Sequence, residues 1–262
     1  MGELSLDGSL RAVNGILPIV CGLEELGIKK IILPSANLKE ASFIDNIEAL
    51  GADNLAQVVN YLNKEGNLKT LKQNIDDFLY EDINFEIDFN QVKGQLQAKK
   101  ALEIAASGAH NVLMSGSPGS GKTMLAKAFM SILPPLNKKE AIELTKIYSI
   151  SGLLDRKNPL VTKRPFRSPH HSASAVGIIG GGTNPKPGEI TLAHRGVLFL
   201  DEMVEFPRST LEVLRQPLED NVVTISRAQT SVQYPVNFIL IGAMYPCPCG
   251  FLGDSKKPCT CS

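Results

Sequence analysis

The chain has 262 residues, 43% of them hydrophobic and 21% charged, close to the globular average, so most of it can bury a core of one or two domains. Lysine and arginine number 27 and aspartate and glutamate 27, which excludes a global field drawing the protein to nucleic acid or membrane and makes any such contact local. No apolar run approaches the roughly 18 residues that cross a bilayer, and Met1-Gly2-Glu3 lacks the basic start of a secretion signal, so a cytoplasmic protein without membrane contact is expected.

In chain order, Ile16 to Leu26 is apolar with Glu24 and Glu25 outside and reads as a helix, in which Cys21 is a small core residue. Lys30-Ile31-Ile32-Leu33-Pro34 reads as a strand. Residues 64–87 carry Asn67, Lys69, Lys72, Asp76, Asp77, Glu81 and Asp82 around few apolar positions, which predicts a linker made of a surface helix and a loop. A second unit starts near Asp88. Within it Asn111-Val112-Leu113-Met114 reads as a buried strand and Met124 to Met130 as a helix.

Between those two elements lies Gly116-Ser117-Pro118-Gly119-Ser120-Gly121-Lys122-Thr123. Strand, glycine-rich loop and helix in this order form a P-loop, which cradles the phosphates of ATP. Glycines let the backbone wrap the phosphates with its N–H groups inward, and the helix N-terminus adds partial positive charge. Lys122 would reach the β and γ phosphates, and Thr123 would place its hydroxyl on a magnesium ion. Further on, Val197-Leu198-Phe199-Leu200 is fully apolar, as a central parallel strand is, and ends in Asp201-Glu202. That is a Walker B pattern, expected at the carboxyl end of a strand neighbouring the P-loop strand. Asp201 would hold magnesium through water, and Glu202 would orient or deprotonate the attacking water.

Four further features stand out, three of them with open alternatives. Arg156, Lys157, Lys163, Arg164 and Arg167 form a basic stretch that suits either a DNA backbone or a solvated loop. His170-His171 and His194 suit a metal or hydrogen-bonded structural roles, and adjacent histidines are expected to point their rings apart. Asn221 to Arg227 and Thr230 to Tyr234 alternate as a hairpin, with Arg227 near its tip as the residue expected to touch a substrate strand. Cys247-Pro248-Cys249 and Cys259-Thr260-Cys261 suit a tetrathiolate zinc site, a redox pair or loop thiols; paired hooks in a reducing compartment favour zinc over disulfides.

The words Asp88-Phe89-Asn90-Gln91-Val92-Lys93-Gly94-Gln95, Arg164-Pro165-Phe166-Arg167-Ser168-Pro169-His170-His171, Pro185-Lys186-Pro187-Gly188-Glu189-Ile190 and Leu192-Ala193-His194-Arg195-Gly196 stand in one order with Leu214-Arg215-Gln216-Pro217-Leu218-Glu219-Asp220 and Cys247-Pro248-Cys249-Gly250. Together with the two motifs they resemble the ATPase module of magnesium-chelatase-like AAA+ proteins of the ComM/YifB type. The resemblance implies an α/β P-loop NTPase core over 88–262, a linker over 64–87, and over 1–63 the second half of a Lon-protease-like α+β domain. It also implies that an arginine finger and a helical lid follow Ser262 in the intact protein, which is expected to form a hexameric ring.

Two positions depart from the family pattern. Tyr245 stands where the family has a sensor asparagine, and Leu17 stands where active Lon-type proteases carry a catalytic lysine, so proteolysis is not expected. The glycine- and proline-rich stretch from Gly177 to Gly188 resembles the helix-two insert that relatives project toward a central pore. Three functional classes follow: an ATP-driven motor on DNA like the helicases of branch migration, a chelatase-like ATPase that remodels a protein partner, and a nucleotide-binding module with little turnover.

Overall fold

A computed structural model describes residues 1–79, 84–182, 186–226, 231–253 and 257–261. The chain packs as two units, Met1–Asp82 with Leu136–Lys163 and Ile83–Pro135 with Arg164–Ser262.

In the first unit Lys30–Pro34 pairs parallel with Glu48–Ala52, which pairs antiparallel with Lys69–Thr70. Branching at Ile31 and Ile32 favours the pleated strand. The helix Ile16–Glu25 buries Ile16, Leu17, Val20 and Cys21 on one face, as its apolar spacing predicts. Part of the expected linker is built into this unit. Lys69–Thr70 is an edge strand and Asp76–Leu79 a short helix, because Ile75 and Leu79 are buried beside Phe43, whose ring meets that of Phe78 edge-on at 5.6 Å.

Residues 136–163 also differ from the sequence expectation, which keeps them in the ATPase core: they fold into the first unit. Asn137 and Glu140 form a reciprocal capping box that starts the helix Lys138–Ser151, and Gly152 ends it with φ 70°. Ala141 and Leu144 of that helix enter the cluster of Phe43, Ile75, Leu79 and Leu160. A buried carboxylate adds a polar tie: Glu40 accepts the backbone N–H of Leu17 at 2.9 Å and the hydroxyl of Ser149. A buried carboxylate is tolerated only when its oxygens are satisfied in this way.

The second unit holds a four-stranded parallel sheet in the order Val112–Ser115, Ile239–Met244, Val197–Leu200, Phe166–Arg167. Side chains alternate across it. Val197 and Phe199 join Ile239, Ile241 and Ala243 with Leu125 and Phe129 of the helix Lys122–Phe129, while Leu198 and Leu200 join Leu240, Ile190 and Phe206 on the other face. Burial on both faces explains why Val197–Leu200 and Ile239–Met244 are unbroken apolar runs, whereas Val112–Ser115, expected to be buried, lies at the end of the strand order with Leu113 58% exposed. The P-loop strand and the carboxylate strand are not neighbours, as the sequence suggests, because Ile239–Met244 runs between them. That strand is buried from Ile239 to Ala243 and takes the position with partners on both edges.

The expected hairpin forms from Val222–Ser226 and Ser231–Pro235, and Arg227 lies outside the described residues. In the glycine-rich stretch, Ser174 caps the short helix Ala175–Ile179, and Gly180–Gly181 pairs with Lys186–Pro187. A Cβ at Gly180 would lie 2.3 Å from the Lys186 carbonyl oxygen, so the pairing requires glycine.

The assignment of 136–163 to the first unit has a direct check. Leu144→Ala is expected to cost about 2–5 kcal/mol. Hydrogen exchange should accelerate in Ile16–Glu25 and Glu48–Ala52, while Val197–Leu200 keeps its protection; the opposite pattern would place the helix with the parallel sheet.

Candidate functional site

The sheet delivers its chemistry at the carboxyl edge. Val112–Ser115 leads directly into the P-loop, where Gly119 and Gly121 adopt φ 76° and 87°, a region that L side chains rarely enter. A Cβ at Gly116 would sit 2.9 Å from the Ser120 hydroxyl, so the loop closes tightly there too. Gly121 precedes the helix Lys122–Phe129 and offers no capping side chain, which leaves first-turn N–H groups open toward the loop. The Lys122 ammonium donates to the carbonyls of Gly116 at 2.7 Å and Ser117 at 3.1 Å. Burial holds its pKa below the ordinary lysine value, while Asp201 and Glu202 act in the opposite sense. Gln95 braces the loop from outside, donating through Nε2 to the Ser120 carbonyl at 3.1 Å.

Across the intervening strand, Thr123 donates its hydroxyl to Asp201 Oδ2 at 2.8 Å. Asp201 also accepts the Glu202 N–H at 3.0 Å, and Glu202 itself sits in the left-handed region at φ 48°, ψ 47°. The Glu202 carboxylate has two further neighbours. Tyr245 donates its phenol to Oε1 at 3.3 Å, and His171 Nδ1 lies 3.8 Å from Oε2. The Tyr245 ring also carries Lys122 Nζ 4.6 Å from its centroid. Burial, followed by the hydrogen bond to Glu202, raises the Tyr245 pKa above the usual phenol value, which keeps the O–H available as a donor.

These residues fit a nucleoside triphosphate with magnesium. The glycines hold a backbone cradle, Lys122 supplies the cation, and the Thr123 hydroxyl and Asp201 carboxylate meet as the hard oxygen donors that magnesium takes. Thus Gly116, Ser117, Pro118, Gly119, Ser120, Gly121, Lys122, Thr123, Asp201 and Glu202 converge on one edge of the sheet.

Other expected site residues take different places. Arg167 makes a two-pronged ion pair with Glu189, 2.6 Å from Nε and 2.7 Å from Nη2, and Arg164 donates to the carbonyls of Pro134 and Arg195, both at 2.6 Å. Both guanidiniums therefore serve the fold rather than a DNA-facing stretch, whereas Arg156, Lys157 and Lys163 are exposed. His170 and His171 do not point apart: their rings lie side by side with centroids 4.0 Å apart. His194 is buried and takes the Asn237 N–H at 3.0 Å, a structural role. Cys247, Cys249, Cys259 and Cys261 converge, with all four sulfurs within 4.8 Å of one another.

A P-loop and a paired-carboxylate strand end on one parallel sheet define the core of a P-loop NTPase. Residues 88–262 match the family described as magnesium chelatase, subunit ChlI, and residues 1–37 match a second family described as subunit ChlI of Mg-chelatase. The chain belongs to this magnesium chelatase ChlI family and is a magnesium-chelatase-like AAA+ protein of the ComM/YifB type. It is 42% identical to the uncharacterized protein Rv2897c of Mycobacterium tuberculosis, over 100% of this chain and 51% of that one. Competence protein ComM of Haemophilus influenzae is 42% identical over 95% of this chain and 49% of its own length. Uncharacterized protein YifB of Escherichia coli is 41% identical over 99% of this chain and 50% of its own. The chain thus spans about half the length of the curated relatives it matches.

One neighbour of Glu202, His171, has no local signature in the sequence. It arrives from a loop far upstream, and no spacing rule links it to a strand-end carboxylate. Tyr245 is visible as a departure from a sensor asparagine, but its contacts with both Lys122 and Glu202 depend on the central position of its strand.

Two substitutions test this geometry. Lys122→Ala removes a charge-assisted contact worth about 1.5–3 kcal/mol, so titration with a fluorescent ATP analogue should show affinity lowered about tenfold or more. Equal affinity in both proteins would remove the P-loop assignment. Tyr245→Phe keeps the ring under Lys122 and deletes one hydrogen bond of about 0.5–1.5 kcal/mol, so ATP turnover should fall roughly two- to tenfold in kcat with KM unchanged.

Proposed function

We propose that this chain is the ATP-hydrolysing module of a hexameric motor that acts on DNA, similar to a branch-migration helicase. The observation that carries the reading is the convergence of Lys122, Thr123, Asp201 and Glu202 at the P-loop edge, with Thr123 and Asp201 joined at 2.8 Å. Lys122 would bind the β and γ phosphates, and Thr123 and Asp201 would hold a magnesium ion, which would supply positive charge against the phosphates. Glu202 accepts the proton of the attacking water, and Tyr245 orients its carboxylate through the O–H bond to Oε1.

The competence role in the name of the Haemophilus relative supports DNA as the substrate, as do exposed Arg156, Lys157 and Lys163. In this reading the protein works in the cytoplasm, residues 1–63 derive from a Lon-like domain, and buried Leu17 in place of a catalytic lysine leaves that domain without protease activity. The family description favours one competing reading, a chelatase-like ATPase that remodels a protein partner.

Steady-state ATP hydrolysis by the full-length protein separates them. Glu202→Gln should bind the ATP analogue normally and lose about a hundredfold or more in turnover, the usual worth of a general base. Branched DNA should stimulate the unmodified enzyme, and the stimulation should fall steeply as salt rises. A rate indifferent to single-stranded and branched DNA at low salt would argue against the DNA motor and for the remodelling reading.

A further inference from the structure

The four sulfurs of Cys247, Cys249, Cys259 and Cys261 form the one group of three or more His, Cys, Asp or Glu ligands placed to share a metal ion among the described residues, and the nucleotide chemistry uses none of them. Cys247 and Cys249 lie 3.3 Å apart through their sulfurs, Cys249 and Cys259 3.5 Å, and Cys247 and Cys259 3.7 Å. A tetrahedral ion with metal–sulfur bonds of about 2.3 Å requires sulfurs about 3.8 Å apart, so small adjustments seat four thiolates round one centre. Backbone donors already face the sulfurs: the Cys249 N–H points to Cys261 Sγ and the Leu252 N–H to Cys247 Sγ, both at 3.3 Å. Such donors stabilise the negative charge of bound thiolates.

Apolar burial in the described part of the turn is slight. Among the described residues from Phe251 to Cys261 none is buried, and Leu252 is 60% exposed. Apolar burial therefore cannot offset the entropy of ordering this segment, whereas a four-coordinate ion can.

The same turn touches the nucleotide cradle. Gly250 is buried at φ 81°, closed by its N–H to the Cys247 carbonyl at 2.9 Å. A Cβ there would lie 2.8 Å from Pro118 Cδ in the P-loop and 3.7 Å from Tyr245 Cδ1. Pro118 belongs to the phosphate loop, and the Tyr245 ring lies under the Lys122 ammonium, so the Cys247–Gly250 turn is a wall of the site.

We propose that Cys247, Cys249, Cys259 and Cys261 hold one zinc(II) ion, and that the zinc-bound turn, pressed through Gly250 against Pro118 and Tyr245, keeps the P-loop in its nucleotide-binding shape. The metal site stands on the thiol geometry alone; its effect on ATP rests on the nucleotide-binding reading above. Loading one zinc ion exchanges the thiol protons for metal–sulfur bonds and releases those protons to solvent. The ion is structural: all four positions are filled by sulfur, which leaves none open for water or substrate.

The test uses the full-length protein purified under reducing conditions. Elemental analysis should give one zinc per chain, and cobalt(II) exchange should give the intense visible bands of a tetrahedral tetrathiolate. Absence of metal, or a cobalt spectrum without sulfur ligation, overturns the metal site. Removing zinc with a chelator should weaken the fluorescent ATP analogue about tenfold, the equivalent of about 1.4 kcal/mol, and adding zinc back should restore it. Metal lost with affinity unchanged overturns the coupling and leaves the site; no ATP binding by zinc-loaded protein overturns the nucleotide reading instead. Cys259→Ser with Cys261→Ser should lose zinc and the same affinity. Gly250→Ala covers the case in which that pair fails to fold: it should keep one zinc per chain yet bind the analogue more weakly, because the added methyl strikes Pro118. Full affinity in Gly250→Ala also counts against the coupling.

Discussion

The register of three parallel strands governs everything at the site. Leu200 pairs with Gly242, and Gly242 with Leu113, so the strands Val197–Leu200, Ile239–Met244 and Val112–Ser115 end at a common edge. Whatever follows each strand is delivered there: the P-loop after Ser115, Asp201 and Glu202 after Leu200, and Tyr245 after Met244. A slip of one residue would exchange the two faces and bury none of the right side chains, so the apolar clusters on both sides hold the register. The 2.8 Å bond between Thr123 and Asp201 is a consequence of that hydrophobic constraint.

Within the edge, electrostatics are arranged as a short chain. Lys122 rests on the Tyr245 ring, Tyr245 donates to Glu202, and His171 flanks the same carboxylate. Glu202 occupies a left-handed backbone conformation that costs a non-glycine residue roughly 1–2 kcal/mol. The Asp201 side chain, accepting the Glu202 N–H at 3.0 Å, helps to hold it. Strain of this kind persists where surrounding structure overdetermines the backbone, and here it aims the carboxylate toward the P-loop edge.

The two units rely on different forces away from that edge. In the first, a capped helix from residues 138–151 supplies apolar cover and a buried carboxylate, Glu40, ties it to the helix Ile16–Glu25. In the second, the parallel sheet is covered on both faces by side chains, but its last described segment, the cysteine turn, has almost no apolar burial. The sulfurs of Cys247, Cys249, Cys259 and Cys261 converge there, and Gly250 lies close against Pro118 of the phosphate loop.

Local pattern alone determined the P-loop, the acidic strand end, the hairpin and the cysteine hooks, because each is written in consecutive residues with a period or a spacing that backbone geometry imposes. The family words extended this reading to the α/β fold and to the departure at Tyr245. Tertiary structure decided the rest. Sequence could not order the strands, since Val112–Ser115, Val197–Leu200 and Ile239–Met244 are similar apolar runs and only simultaneous packing of both faces selects the middle one. Nor could it assign residues 136–163, whose capped amphipathic helix suits any apolar partner until Phe43 and Ile75 are brought beside it. Arg164 and Arg167 looked free because their carbonyl and carboxylate partners are distant along the chain, and His171 met Glu202 for the same reason. Long-range pairing is the one property that a linear pattern of residue types does not carry.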